Sequence, residues 1–422
     1  MYLFTYRGVR LTGEKDRSLS HAIKTLPLCE EVAVPLFTLG QNRLFTTVPI
    51  GGGLLKNAPL AISKSRRHAM VSPVCGTLMA VRELSHPMLG DFPCAVIRCS
   101  QEQRSIELRG VKEETLSFDG LVALAKAACI IDEYDRVPLY RKLRLIKEEG
   151  AALLLGNAVD DEPYISSGVA CALWHSEEAC GGLSLLQRVL GVKKAALLVY
   201  DSGEAPAVKG LKSEAAGVPI RRVRGKYPVW PAIYHKLKKE GRAARIGVQA
   251  LIALWRAVKY GEGQTELVCT VCGDAVKNWR NVRVPIGTPV QYLLDQCRLK
   301  KDPHWLILGD TMQGESIENP LLPVVQGVRG VTALALRDWA KKYSCIGCGR
   351  CMQVCPVHIM PYFIARLSER GEAQEARRFG AGRCIACGAC TAVCPSGIEL
   401  TEIMKTVLIT RPIPIYDWSE MD

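Results

Sequence analysis

Eight cysteines fall in two runs of one pattern. "SCIGCGRCMQVCPVHIM" (344–360) places them at 345, 348, 351 and 355, and "RCIACGACTAVCPSGI" (383–398) at 384, 387, 390 and 394. Each run reads C-x2-C-x2-C-x3-C-P. Thiolates are the soft ligands that iron–sulfur cores take, and three cysteines at this spacing wrap one corner of a cubane while the fourth reaches the other cluster. The pattern therefore assigns Cys345, Cys348, Cys351 and Cys394 to one 4Fe-4S cluster, and Cys384, Cys387, Cys390 and Cys355 to a second. Gly349 and Ala389 are small, which lets backbone amides approach the sulfides, and Pro356 and Pro395 turn the chain away from each cluster. Structural zinc takes four ligands, usually as two separated pairs, and two matched quartets ending in Cys-Pro do not fit that form. With every ligand position filled, no iron is left open for bond chemistry. The chemistry expected is one-electron transfer, with no catalytic residue in the domain.

The elements that must hold these cysteines are short helices. Between the runs, "PYFIARLSERGEAQEARRF" is rich in helix formers, with an apolar stripe at Phe363 and Leu367 and a break at Gly371. After the second run, Leu400, Ile403, Met404, Val407 and Leu408 share one helical face until Pro412 stops it. Helix between the cysteine runs suggests an α-helical dicluster ferredoxin more than a compact small ferredoxin.

Upstream, the character changes twice. Residues 40–105 carry short β-type runs punctuated by Gly51–Gly53, Asn57–Pro59 and Ser72–Pro73, the marks of a small β-sandwich. The order of "VPIGGGLLKNAPLA" and "SPVCGTL" looks like the biotinyl/lipoyl barrel-sandwich hybrid. Lys64 lacks the surroundings of a lipoylated lysine and is expected to be scaffold. From 110 to 245, "AALLLGN" (151–157), "KAALLVYD" (194–201) and "VPIRRV" (218–223) read as buried strands alternating with helices, an α/β layer fold. Then "ELVCTVCGDAVKNWRNVRVPIGTPVQYLLDQCRL" (266–299) reads strand, turn, strand, helix, and resembles the soluble-ligand-binding β-grasp domain. Its lone Cys269-x2-Cys272 has no second pair, so both thiols are expected in the core, on opposite faces of a strand.

The chain of 422 residues, 48% hydrophobic and 23% charged, has the composition of a multidomain globular protein. No apolar run reaches the ~18–20 residues of a membrane-spanning helix, and the start turns charged too soon for a signal peptide. These features place it in the cytoplasm, with a peripheral seat on the inner face of the cell membrane left open. Eighteen cysteines are many for a compartment where disulfides are rare. The ten outside the two runs sit mostly in apolar settings, such as Cys94 and Cys129, and read as small hydrophobes. The formal charge of +13 falls to about +9 once two clusters of net charge −2 are bound. Basic residues are scattered and aromatics make up only 6%, which argues against nucleic acid and for solvated surface or docking to an acidic redox protein.

Sandwich, α/β, β-grasp and dicluster ferredoxin, in that order, resemble the C subunit of the Rnf electron-transport complex. The cobalamin reductase of propanediol utilisation and the electron-transfer protein associated with proline reductase are relatives of that family. The resemblance is carried by "RGVRL" with Lys15, "GGGLLKNAPLA", "NAVDDEPY" (157–164), "KYP" (226–228), "CGDAVKN…VPIGTPV" and the two cysteine runs. It implies a division at 1–105 (barrel-sandwich hybrid), 106–255 (α/β), 260–325 (β-grasp), 335–412 (dicluster ferredoxin) and 413–422 (tail). It also implies, in the α/β domain, likeness to the NADH- and FMN-binding subunit of respiratory complex I, with Asn157, Asp160 and Glu162 as the remnant of a flavin site. The glycine-rich loop that such a site uses against phosphate is replaced by "AACIIDEYDRVPLYRKL" (127–143). There Tyr134 and Tyr140 should fill the phosphate space, and Asp132, Glu133 and Asp135 should repel phosphate. The family's "KYPSGG"-like turn is altered to "KYPVWP", with Val229, Trp230 and Pro231. The reading that follows is an electron-transfer subunit with two 4Fe-4S clusters, without tight FMN and without NAD. It would serve Rnf-type membrane subunits or a soluble reductase. The alternative is a flavin-dependent, NADH-linked oxidoreductase, and a third is a scaffold whose clusters are structural.

Overall fold

The computed structural model describes residues 2–3, 7–38, 42–64, 69–87, 90–108, 113–335 and 342–408. The expected tail 413–422 lies outside them.

Alternation builds the first layer. In the strand Glu31–Pro35, Val32 and Val34 point inward, and they meet Leu44, Leu60, Leu78 and Ile97 between two four-stranded sheets. One sheet runs Glu31–Pro35, Gly90–Cys99, Gly76–His86, Gly53–Leu54, and the other Phe37–Thr38, Asn42–Thr46, Pro59–Ser63, Ala69–Val71. The residues before Glu31, expected as part of this first unit, go elsewhere. Tyr2–Leu3 pairs with Arg224 and Gly225 in the α/β sheet. Lys24–Thr25 pairs with Val282 and Arg283 in the third sheet. Two-residue edge pairings of this kind carry no periodicity to read in advance.

The α/β sheet is parallel along the order Val218–Gly225, Lys194–Tyr200, Leu153–Ala158, Ala243–Gly247. Burial on both faces explains the continuous apolar run of the central strand Leu153–Ala158. Leu154, Leu197, Ile220 and Ile246 face the helices Ser176–Leu190 and Val248–Tyr260, whereas Leu153, Leu155, Leu198 and Val223 face Trp230–Leu237. Gly182 sets the first of these layers: a Cβ there would lie 2.3 Å from the Leu251 carbonyl oxygen, so the two helices cross in backbone contact. The first strand in sequence has neighbours on both sides, one leading to the second and third strands and the other being the fourth. The carboxyl ends of Leu153–Ala158 and Ala243–Gly247 therefore flank the crevice where open α/β sheets take ligands.

The third sheet pairs Glu266–Cys272 antiparallel with Arg280–Pro285 and parallel with Gly330–Leu334, and the helix Val290–Gln296 contributes to its core. The last described residues form short helices, Arg350–Val354, Pro361–Glu369, Ala373–Arg378, Ala389–Ala392 and Leu400–Leu408. Ile364, Leu367 and Met404 form the core there. Phe363, expected in the apolar stripe, is exposed and packs edge-on to Phe379 at 4.7 Å, because Ile364 takes the inward position.

Candidate iron–sulfur centre

The two cysteine runs fold alike. Gly349 and Gly388 take left-handed φ of +69° and +77° immediately before the helices Arg350–Val354 and Ala389–Ala392. Gly347 (+68°) matches Ala386 (+50°), and His358 (+55°) matches Gly397 (+63°). At the second pair of positions, the Gly347 amide donates to Cys345 Sγ and the Ala386 amide to Cys384 Sγ, at 3.4 Å each. The small residue equivalent to Gly349 is thus Gly388. Ala389, read from sequence as that residue, is instead fully buried in the helix behind it.

Left-handed backbone costs an L-residue roughly 1–2 kcal/mol, and Ala386 accepts that strain to aim its amide at sulfur. Replacing Ala386 by glycine is expected to raise the stability of the iron-loaded C-terminal domain by about 0.5–1 kcal/mol. A shift of the denaturant midpoint for loss of cluster absorbance would report it, and a lowered midpoint would refute the strain argument.

Four sulfurs share one hollow. Cys355 comes from the first run and Cys384, Cys387 and Cys390 from the second, with Ile359, Thr401 and Met404 closing the sides. Burial pushes the Cys384 thiol up to about 12 and also raises Cys387 and Cys390, with the neighbouring thiols, Cys355 among them, adding to the rise. Buried thiols in such company ionise only against a cation, which an iron–sulfur core supplies.

The other group lies outward. Cys348 is exposed, Cys345 and Cys351 are half-buried, and Ile346 between them is 70% exposed. Cys394 is brought toward this group by two hydrogen bonds, from the Tyr343 amide to the Ser396 carbonyl (2.9 Å) and from Ser396 Oγ to the Ser344 carbonyl (3.0 Å). Among the described residues, no three His, Cys, Asp or Glu side chains converge closely enough for one ion. Four thiols lining one hollow are a donor set that an iron–sulfur core takes, and the inner residues fit the group.

Tyr227 joins this domain to the rest. Its hydroxyl donates to the Cys387 carbonyl at 2.6 Å and stands 3.1 Å from Glu162 Oε1, while Glu162 Oε2 accepts from the Met312 amide at 2.6 Å. Tyr227 packs with Cys387, Ala389, Val9, Leu11 and Met312, and Arg7 Nη1 donates to the Met352 carbonyl at 2.9 Å.

At the sheet crevice, the residues read as a flavin remnant already have protein partners. Asp160 accepts from Tyr134 Oη (3.0 Å), the Val169 amide (2.8 Å) and Arg329 (2.8 Å). The Arg329 guanidinium also binds Asp310 and stacks 4.0 Å over the Tyr134 ring. Lys15, buried, gives its ammonium to the carbonyls of Glu162 and Ile165. Asn157 Oδ1 accepts from the Val159 amide at 3.0 Å, and its Nδ2 is buried without a hydrogen-bond partner among the described residues.

The acidic segment behaves more specifically than simple repulsion. Glu133 accepts from the amides of Gln249 and Ala250, and Asp132 from that of Gly247, at the start of the helix Val248–Tyr260. A helix N-terminus beside a parallel strand is where a nucleotide phosphate would sit, and here the chain's own carboxylates take its amides. Asp132 and Asp135 both accept from the Lys142 ammonium. Tyr140, expected in the phosphate space, lies apart, under Lys126 at 5.7 Å. Cys269 and Cys272 are both buried within their strand.

Sequence reading did not single out Arg329 or assign a role to Tyr227. The one local signal for Arg329 is a lone cation entering the apolar run "VTALAL". For Tyr227 it is "KYP" ahead of an altered turn.

A cysteine-lined redox domain mounted on an α/β body defines the class, and likeness to known proteins agrees with it. Residues 344–398 match the family described as "4Fe-4S dicluster domain". The chain is 25% identical over 395 residues to the C subunit of the proton-translocating ferredoxin:NAD(+) oxidoreductase complex of Clostridium ljungdahlii, covering 88% of this chain and 85% of that one. It is 27% identical over 397 residues to the C subunit of the ion-translocating oxidoreductase complex of Rhodobacter capsulatus, covering 88% and 76%. An NAD+-reducing [NiFe]-hydrogenase structure aligns with a TM-score of 0.42 at 13% identity, over 72% of this chain and 64% of that one. The resemblance to the C subunits of Rnf-type complexes thus extends over most of the chain.

Proposed function

We propose that this chain is an electron-transfer protein of the Rnf C-subunit type, relaying single electrons through two 4Fe-4S clusters to or from a protein redox partner. The observation that carries the reading is the hollow lined by Cys355, Cys384, Cys387 and Cys390, with Cys345, Cys348, Cys351 and Cys394 as ligands of the second cluster. When bound, such clusters supply one-electron redox chemistry at all-thiolate sites. The protein's part is to hold the inner cluster against Tyr227 and to present the outer one. Exposed Tyr343, Ile346, Met352, Met360 and Phe363 share the domain with exposed Cys348, an apolar setting suited to a docked redox protein. Membrane subunits or a soluble reductase would both serve as partner. No helix among the described residues is long and apolar enough to cross a membrane, so attachment to a membrane complex would be peripheral. The upstream sheets are taken as a barrel-sandwich hybrid, a complex-I-flavin-subunit-like α/β domain joined by Tyr2–Leu3, and a soluble-ligand-binding β-grasp joined by Lys24–Thr25 and Gly330–Leu334.

One observation favours the flavin-dependent, NADH-linked alternative. The orphaned Nδ2 of Asn157, with Ser167 Oγ and Trp230 Nε1, leaves buried donors unpartnered among the described residues of the α/β domain. Against it, Asp160 and Glu162 are engaged by protein donors, and Glu133 and Asp132 hold the amides a phosphate would need. Anaerobically purified protein is expected to contain about eight iron and eight sulfide per chain, to release no FMN, and to show no bleaching with NADH. Stoichiometric FMN with NADH-dependent bleaching would transfer the case to the alternative. A colourless, zinc-loaded protein would sink both.

A further inference from the structure

Tyr227 has one phenolic proton and two acceptors, the Cys387 carbonyl at 2.6 Å and Glu162 Oε1 at 3.1 Å, and its oxygen already accepts from Gln313 Nε2 at 3.1 Å. An ionised carboxylate only accepts, so with Glu162 charged one of the two contacts cannot be a hydrogen bond. With Glu162 protonated, every group is satisfied: the carboxylic acid donates to the phenol oxygen, and the phenol donates to Cys387. We propose that Glu162 and Tyr227 form a proton-linked switch on the cluster held by Cys355, Cys384, Cys387 and Cys390, in which Glu162 gains a proton as that cluster gains an electron.

The proposal rests on the ligand assignment above. In the reduced state, one electron has come from a one-electron donor, one proton from solvent has formed an O–H bond on Glu162, and the phenol keeps its hydrogen bond to Cys387. In the oxidised state at high pH, Glu162 is ionised and draws the phenolic proton to itself. The Cys387 carbonyl then loses its donor, and the negative charge on Glu162 opposes adding an electron to the cluster behind it. Tyr227 itself stays protonated throughout and only turns.

The surroundings suit a proton taken up late. Burial, then Asp310, pushes Glu162 up to about 8, with Asp161 adding to the rise and the Met312 amide and Arg329 opposing it. Lys15 faces the Glu162 backbone carbonyl, and Asp160 is held by Arg329. Burial raises Asp161 only to about 6, which separates it from the range in which Glu162 acts. A negative cluster behind Tyr227 pushes Glu162 higher and a reduced one higher still. Coupling is therefore absent below about pH 8, where both redox states hold the proton, and begins above it.

The test is potentiometric EPR on the full iron-loaded chain from pH 6 to pH 10. One cluster of the wild type should keep a constant potential at least to pH 8 and fall above the point where Glu162 ionises, toward a limiting tenfold change in reduction equilibrium, or 59 mV, per pH unit. The other cluster should stay flat. Glu162→Gln and Tyr227→Phe should flatten the first cluster with iron content unchanged, and Asp161→Asn should leave its slope in place. An independent reading comes from infrared spectra of the iron-free chain at pH 7, where a carboxylic acid band should vanish in Glu162→Gln. Two flat clusters in the wild type, a slope surviving in Glu162→Gln, or no such band would overturn the switch. Absence of two clusters in the wild type would instead overturn the ligand assignment.

Discussion

Replacing Cys387 by alanine is expected to halve the iron of the purified chain, from about eight to about four atoms, or to lower it further. Cys387 is one of four sulfurs around a single hollow, and its thiol is 8% exposed. Water cannot readily replace a ligand there, so the cluster should be lost rather than retained with an open iron. The damage should also spread. Cys387 packs with Tyr227, Ala389, Val9, Leu11 and Met312, and the hollow it lines is completed by Cys355 from the other run. Loss of the inner cluster frees Cys355 and loosens the end of the helix Arg350–Val354, which carries Cys351 of the outer group. Cys348→Ala removes an exposed sulfur on the outer side. It should cost a comparable amount of iron with less loss of stability. Iron and sulfide analysis with thermal unfolding of the two variants checks both statements. Unchanged iron in Cys387→Ala would mean that these four cysteines do not share a cluster.

What could be read before folding follows from the range of the physics involved. Ligand spacing is local: within a run, Cys384, Cys387 and Cys390 are brought around one hollow by the turns at Ala386 and Gly388. Burial on both faces is local too, and it makes Leu153–Ala158 visible as an apolar run. Ala243–Gly247 escaped because only Ile246 and Gly247 are buried and basic residues precede them. Side chains paired across the fold left almost no local trace. Tyr227 meets Cys387 160 residues away, Lys15 meets Glu162 147 residues away, and Arg329 meets Asp160 169 residues away. The missing glycines of 127–143 were plain in the sequence. That Glu133 and Asp132 would turn to cap the amides at the start of Val248–Tyr260 was not, because no local pattern links a loop to a helix more than a hundred residues later.

Arg329→Met should be the most destabilising change outside the cysteine domain, by about 3–5 kcal/mol. The guanidinium is nearly inaccessible and sits between two carboxylates, Asp160 at 2.8 Å and Asp310, with the Tyr134 ring stacked on its face. Removing it leaves Asp160 fully buried, and Asp310 partly buried, without this cation. A methionine fills the volume, so the loss measured is electrostatic more than a cavity. Asp160 keeps the Val169 amide and Tyr134, which hold the start of the helix Ser167–Trp174. Among the described residues Asp310 Oδ1 has no hydrogen-bond partner, and the Asp310–Gly314 turn should loosen. That turn carries Met312, whose amide holds Glu162 and whose side chain lies against Gly388 of the inner cysteine run. The variant should therefore fold less stably and also hold iron less firmly under a chelator. Adding Asp160→Asn should recover part of the loss, since one buried charge is removed with its hydrogen-bonding shape retained. Chemical denaturation of the single and double variants measures these differences. A single variant within about 1 kcal/mol of wild type, the value of an exposed pair, would show that Arg329 does not bind the sheet crevice to the cysteine domain.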